Sequence, residues 1–216
     1  VIEALPGGAE AEALVERAVR EGCHVVTANK DVAARRPDLV QETQAAGRTF
    51  ACSSAVGGGA PVLETVTRLR ESGVKVGRVR GVLNGTSNFV LDRLASGRSL
   101  DASVKEAQDA GFAEADPSAD LDGLDAANKL ALIAREAWGV DLDPASIPTA
   151  SIRDLSAHVL DAARQDGRRI RQVGCLSRSV SGVRAEVRLE ALPLTDPLAR
   201  ARAEAFERLF PSPESV

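Results

Sequence analysis

Short β-branched runs alternating with helical stretches constrain the opening of this 216-residue sequence more than any other feature. "VIEAL" comes first and is followed by "PGG". Residues 9–21, "AEAEALVERAVRE", put Ala11, Leu14, Val15, Ala18 and Val19 at helical spacing, which predicts an amphipathic helix. Gly22 stands where a C-cap is expected. "HVVTA" reads as a second strand, "NKDVAARRPDLVQETQAAG" as a helical stretch broken at Pro37, and "RTFACSSAV" as a third strand. Strands and helices alternating over such short links describe βαβ units on a parallel sheet. Right-handed crossovers make this part of a doubly wound nucleotide-binding domain.

Near residue 58 the pattern changes. "VGGGAP", residues 56–61, punctuates the chain and opens a helix over 62–72. "VKVGRVRGVL" alternates as a strand does, and "NGTSNFVLDRLASG" reads as a turn plus helix, with Asn84, Thr86 or Ser87 available as caps. Helices are predicted over 100–110, about 124–138 and 154–165, with "GFAEADPSADLDG" as loop. "RRIRQVGCLSRS" and "GVRAEVRLEAL" form a hairpin across a Ser/Gly turn, and a last helix covers about 197–209. The fold class is therefore α/β: a partial Rossmann-type sheet over 1–58, an α+β domain over 59–198, and a C-terminal helix and tail over 199–216. A chain that starts within a strand and lacks Met is expected to be an N-terminally truncated piece.

Composition excludes several classes of function. A net charge of −4 argues against a general polyanion binder, and five Phe, one Trp and no Tyr weaken base stacking, so no nucleic-acid partner is expected. No apolar run is long enough to span a bilayer and no signal-peptide pattern opens the chain. Cys23, Cys52 and Cys175 lack metal-ligand spacing and read as small apolar residues in a reducing cytoplasm. His24 and His158 are isolated and read as structural.

Chemistry concentrates in "EADPSADLDGLDAANKL", residues 114–130. In the helix that follows Gly123, Leu124, Ala127, Ala131, Ala134 and Trp138 form an apolar stripe. Asp125 and Lys129 are one turn apart and lie nearly opposite its centre, with Glu136. Helix patterning alone favours a solvated face carrying a salt bridge. Leu132 and Ile133 flank that polar face, however, which leaves room for a cleft. The loop ahead of it carries no Lys or Arg to relieve its own repulsion, so a cation is expected there: a metal, an amine ligand or Lys129 itself. D-x-x-x-D-x-D lacks the EF-hand spacing, and an ammonium-bearing substrate fits better than a divalent metal. "TANKD" delivers Lys30 to a strand's carboxyl edge, where doubly wound sheets bind ligands; a solvated loop lysine is the alternative. "NGTSN" could present backbone N–H groups and a hydroxyl to an anion, or simply cap a helix.

Taken in order, "HVVTANKD", "AVGGGAP", "GVLNGTSNF", "EAQDAGFAEADPSADLDGLDAANKLALIA" and "LPLTDPLA" resemble homoserine dehydrogenase, over about residues 1–200. The acidic motif is the specific part; the glycines would be weak alone. The resemblance implies NAD- or NADP-dependent interconversion of L-homoserine and L-aspartate 4-semialdehyde, a step toward threonine, methionine and isoleucine. It implies that Lys129 shuttles the hydroxyl proton during hydride transfer and that Lys30 is a second active-site lysine near cofactor and substrate. Glu114 and Asp125 match acids that bind homoserine, with Asp120 helping at the ammonium and Thr86 near the substrate. Thr27 and Gly111 match cofactor-contacting positions. A cytoplasmic homodimer, with the 168–190 hairpin's sheet paired across two subunits, is also implied.

Departures from the family pattern are informative. A Glu usually precedes the glycines and binds a monovalent cation (Na+ or K+) together with backbone carbonyls. Ser53 occupies its place here, leaving the backbone positions Val56, Gly58 and Ala60. Phe112 stands where Tyr is common, and no G-x-G-x-x-G occurs. Two alternatives follow: a catalytically inactive fragment that only dimerises, and a related dehydrogenase of amino-acid metabolism, against which the acidic motif with Lys129 argues.

Overall fold

The computed structural model describes residues 1–57 and 60–201, and the backbone of 205–209. The chain divides into two compact units, 1–75 with 128–146, and 76–127 with 147–216. The sequence reading drew its boundary near 58; the first unit continues through residue 75 because the helix after the glycines packs within it.

The first unit is built on a parallel sheet of β1 (Ile2–Glu3), β2 (Val25–Thr27) and β3 (Phe50–Ala51), in that spatial order. Helix α1 (Ala9–Arg20) buries the stripe Ala11, Val15, Ala18 and Val19 against Val25, Val32 and Leu39. Pro37 divides the next stretch into α2 (Lys30–Arg35) and α3 (Pro37–Ala45), as its missing N–H requires. Arg36 sits at this break. Its guanidinium donates to Glu12 at 2.5 Å, to Glu16 at 2.7 Å and to Asp38 at 2.7 Å, tying α3 to α1. Helix α4 (Val62–Glu71) follows the glycine segment, and its Thr67 hydroxyl donates to Glu136 at 2.8 Å.

In the second unit, β4 (Arg78–Val82), β5 (Arg168–Ser179), β6 (Gly182–Pro193) and β7 (Ala205–Leu209) form an antiparallel sheet of order β6-β5-β4-β7. The hairpin of β5 and β6 pairs from Arg168↔Pro193 to Ser179↔Gly182, across the Ser/Gly turn that the sequence predicts. Around the sheet lie α5 (Gly85–Ala95), α6 (Leu100–Asp109), α7 (Ser118–Leu121) and α9 (Ala157–Gln165). Val90, Leu91, Ala107, Leu121, Ile152, Leu160 and Ile170 form their shared core. Arg171 is fully buried on β5 and donates to Asp92 at 2.8 Å and to the Ala199 carbonyl at 3.2 Å.

Helix α8 runs from Leu124 to Trp138, as its periodicity required. Three expectations need correction. The predicted helix over 197–209 is a 3-10 turn at Pro197–Arg200 followed by strand β7, which pairs with β4 from Arg78 to Val82. Sheet pairing overrides the helix propensity of an Ala/Arg-rich segment. The acidic loop contains α7, where Asp116 accepts the Ser118 backbone N–H at 3.0 Å. Leu124, assigned to the buried stripe, is 46% exposed, whereas the rest of its first two turns is buried. No helix among the described residues is long and apolar enough to cross a membrane.

Candidate active site

In the second unit, β4 runs out at Val82 and Asn84 caps α5 two residues later. Its side-chain carbonyl accepts the Ser87 N–H at 2.7 Å, an ordinary N-cap bond. The other end of the same amide reaches two acids. Asn84 Nδ2 donates to Asp120 Oδ1 at 2.6 Å and to Asp125 Oδ2 at 2.9 Å. Asp120 comes from α7, and Asp125 from the first turn of α8, where the helix dipole favours an anion. Gly123 lies just ahead of α8 and is closely packed. It adopts φ +80°, and an added Cβ would meet Val187 Cγ1 at 3.1 Å, Gln172 Nε2 at 3.2 Å and Thr149 Cβ at 3.3 Å. No other residue type fits there without strain.

Thr86 is buried beside this group, and its hydroxyl donates to the Phe112 carbonyl at 2.5 Å. The Phe112 ring stacks on Phe89 with centroids 5.0 Å apart, and Arg93 lies over the far ring at 4.4 Å. Gly111, at φ +75°, closes the end of α6, with its N–H on the Gln108 carbonyl. Glu114 is exposed, and its backbone carbonyl accepts from Gln108. Thus Asp120, Asp125 and Asn84 are brought together and Glu114 stays at the surface.

In the first unit the polar residues gather at the carboxyl edge of the parallel sheet. Glu3 ends β1 with only 1% of its surface exposed. Its carboxylate accepts the Thr27 hydroxyl and, at 2.6 Å, the Leu5 N–H. Thr27 Oγ1 in turn accepts the Asn29 N–H at 2.9 Å, which fixes the turn into α2. Asn29 caps α2, and Lys30 is that helix's first residue. The Asn29 side-chain nitrogen is buried without a hydrogen-bond partner, and a Cβ on Gly7 would lie 3.8 Å from it. An unsatisfied donor inside a protein is costly, so its retention at a ligand-binding edge suits a ligand acceptor. Sequence reasoning missed Glu3 and Asn29; a carboxylate inside an apolar strand was the signal for the first.

Asn128 and Lys129 of α8 also belong to the first unit. Asn128 donates to Asp31 Oδ1 at 2.6 Å. Lys129 is 6% exposed and Asp125 5%, and every residue from 125 to 134 is buried. The solvated-face reading of this helix is therefore overturned. Its patterning is amphipathic, but its polar side faces protein, as the flanking Leu132 and Ile133 had allowed.

The cation set inferred from the glycine segment fares differently. Gly58 lies outside the described residues, and the Ala60 carbonyl accepts the Val62 N–H at 2.8 Å. Ser53 is exposed and brings no carboxylate. Nearby, Cys52, Glu64, Thr67 and Glu136 line a cavity of about 330 Å³. Burial, reinforced by the negative charge of Glu136, pushes the Cys52 thiol up to about 11, so it stays protonated and unreactive near neutrality.

Comparison with known proteins adds independent findings. Residues 61–208 match the family model described as homoserine dehydrogenase. The homoserine dehydrogenase of Bacillus subtilis is 32% identical over 218 residues, covering 100% of this chain and 50% of that protein. The NAD(+)-dependent homoserine dehydrogenase of Pseudomonas canavaninivorans is 32% identical over 194 residues, covering 89% of this chain and 55% of its own. Among solved structures, a homoserine dehydrogenase from Thiobacillus denitrificans superposes with a TM-score of 0.89 at 32% identity, over 95% of this chain and 48% of that one. The chain spans about half the length of the curated relatives it matches.

Proposed function

The chain belongs to the homoserine dehydrogenase family, and on that premise we propose that it serves the NAD(P)-dependent interconversion of L-homoserine and L-aspartate 4-semialdehyde. One observation carries the reading. Asp125 and Lys129 stand one turn apart on α8, and both are withdrawn from water. Burying ionisable side chains costs far more than leaving them on a helix surface, so such an arrangement marks chemistry rather than solubility.

Asp125 and Asp120, with Glu114 at the rim, bind the substrate ammonium. Thr86 is the residue offered near the substrate. Lys129 takes the proton from the substrate hydroxyl as the alcohol is oxidised and returns it in the reverse direction. Lys30 acts as the second lysine, holding negative charge on the reacting oxygen. A nicotinamide cofactor, when bound, supplies the hydride acceptor. Thr27, Asn29, Lys30 and Gly111 are the residues offered to hold it. The buried and unpartnered Asn29 amide nitrogen is the feature that fits such a group. No step depends on a monovalent cation at Val56, Gly58 and Ala60. Pairing of two copies through the sheet that contains the hairpin completes the proposal.

The test is homoserine-dependent formation of NADH or NADPH, followed in the wild type and in Lys129→Met. Loss of the proton acceptor should lower kcat about 100- to 10,000-fold with the fold retained by circular dichroism. A Lys129→Met protein that turns over at the wild-type rate would refute the assignment.

A further inference from the structure

We infer that Asn84 is the positioning residue that aims the two ammonium-binding carboxylates, a role distinct from its capping of α5. The inference rests on the proposed function and extends it. A side-chain amide has one acceptor end and one end with two N–H donors. Both ends of Asn84 are committed. The acceptor end holds the Ser87 N–H at 2.7 Å, and the donor end holds Asp120 at 2.6 Å and Asp125 at 2.9 Å. Turning the amide over would set its oxygen against two carboxylate oxygens and its nitrogen against an N–H. The network therefore admits a single orientation.

The backbone around it is equally fixed. Asn84 is 5% exposed, extended at φ −134° and ψ 123°, and its own carbonyl accepts the Asn88 N–H at 3.4 Å. One rigid group thus governs one oxygen of each acid, and by covalent geometry the direction of the other. Asp120 and Asp125 come from different helices, and the shared Asn84 donor bridges them against their mutual repulsion. The choice of an amide is chemically pointed. An Arg or Lys in this place would hold the acids too, but its charge would compete with an incoming ammonium. A neutral double donor aligns the pair without adding a positive charge of its own.

Asn84→Ser separates the two roles, because Ser is an equally good N-cap and cannot donate to both acids. Binding of L-homoserine and of 4-hydroxybutyrate, the same molecule without its amine, is measured by calorimetry on wild type and variant, with thermal melts alongside. Wild type should prefer homoserine; no preference would remove the proposed function and this inference with it. In Asn84→Ser the affinity for homoserine should fall tenfold or more while that for 4-hydroxybutyrate stays within twofold. Equal loss of both ligands, or loss of neither, overturns the inference while leaving the proposed function standing. A second measurement needs no variant. In wild-type protein the Asn84 side-chain amide resonances should move on saturation with homoserine and hold still with 4-hydroxybutyrate. Resonances unmoved by homoserine would equally overturn it.

Discussion

Two buried polar groups, one in each unit, solve opposite problems. In the second unit a single amide spends both donors on Asp120 and Asp125, so two acids are held together. In the first unit a single acid, Glu3, is satisfied by the Thr27 hydroxyl and the Leu5 N–H, and the neighbouring Asn29 amide nitrogen is left without an acceptor. One group suits a ligand that brings positive charge and donors. The other suits a ligand that brings an oxygen. The proposed oxidation of an amino alcohol needs both kinds of partner, and the difference shows how one residue type, asparagine, serves either purpose according to which of its ends is already engaged.

That contrast can be broken by experiment. The largest expected effect is on the acidic side. Gly123→Ala places a Cβ at φ +80° against Val187, Gln172 and Thr149, just ahead of Asp125. We expect about 2–3 kcal/mol of destabilisation in urea unfolding. Wild-type stability would show that the turn relaxes freely and does not fix the acids. A smaller and more selective effect is expected on the other side. Asn29→Asp keeps the cap of α2 and removes the orphan donor, so NAD(P) affinity should drop about tenfold, the worth of one lost hydrogen bond to a ligand, with homoserine affinity unchanged. Weakened homoserine binding with cofactor binding intact would reverse the two assignments.

The smallest effect concerns the ties that hold the first unit together. Hydrogen bonds from Arg36 keep the Asp38 carboxyl below its ordinary value, and they do the same for Glu16. A carboxylate so lowered adds stability above its unfolded value, near pH 4, and that contribution is lost as pH falls through the lower folded value. The Asp38 share, discounted for exposure and screening, is less than about 1 kcal/mol. Thermal melts of Arg36→Met against wild type should therefore differ slightly at pH 7 in low salt and converge below pH 3. A difference that persists in strong acid would mean that Arg36 contributes packing rather than charge.

Much of this was legible in the sequence. The alternation of the opening segment specified three parallel strands, and the apolar spacing over about 124–138 specified α8. The hairpin of β5 and β6 followed from its two strand segments and the Ser/Gly turn between them. Asp120, Asp125 and Lys129 stood out because repeated carboxylates without basic relief are unusual in a loop. Asn84 was seen only as a cap, since a cap bond spans three residues whereas its bonds to the acids span 36 and 41. The strand β7 was mistaken for helix because its pairing with β4 lies more than a hundred residues away in the chain.

What the sequence determined by itself was periodicity, the positions where the backbone must turn, and the order of the acidic and basic residues along one helix. Those properties depend on neighbours a few residues apart. Only the tertiary structure decided that the polar side of α8 is buried, that one amide joins two carboxylates, and that Glu3 lies inside the first unit while Glu114 lies outside the second. Burial and hydrogen-bond partnership arise from segments distant in the chain, and no local pattern encodes which of them will meet.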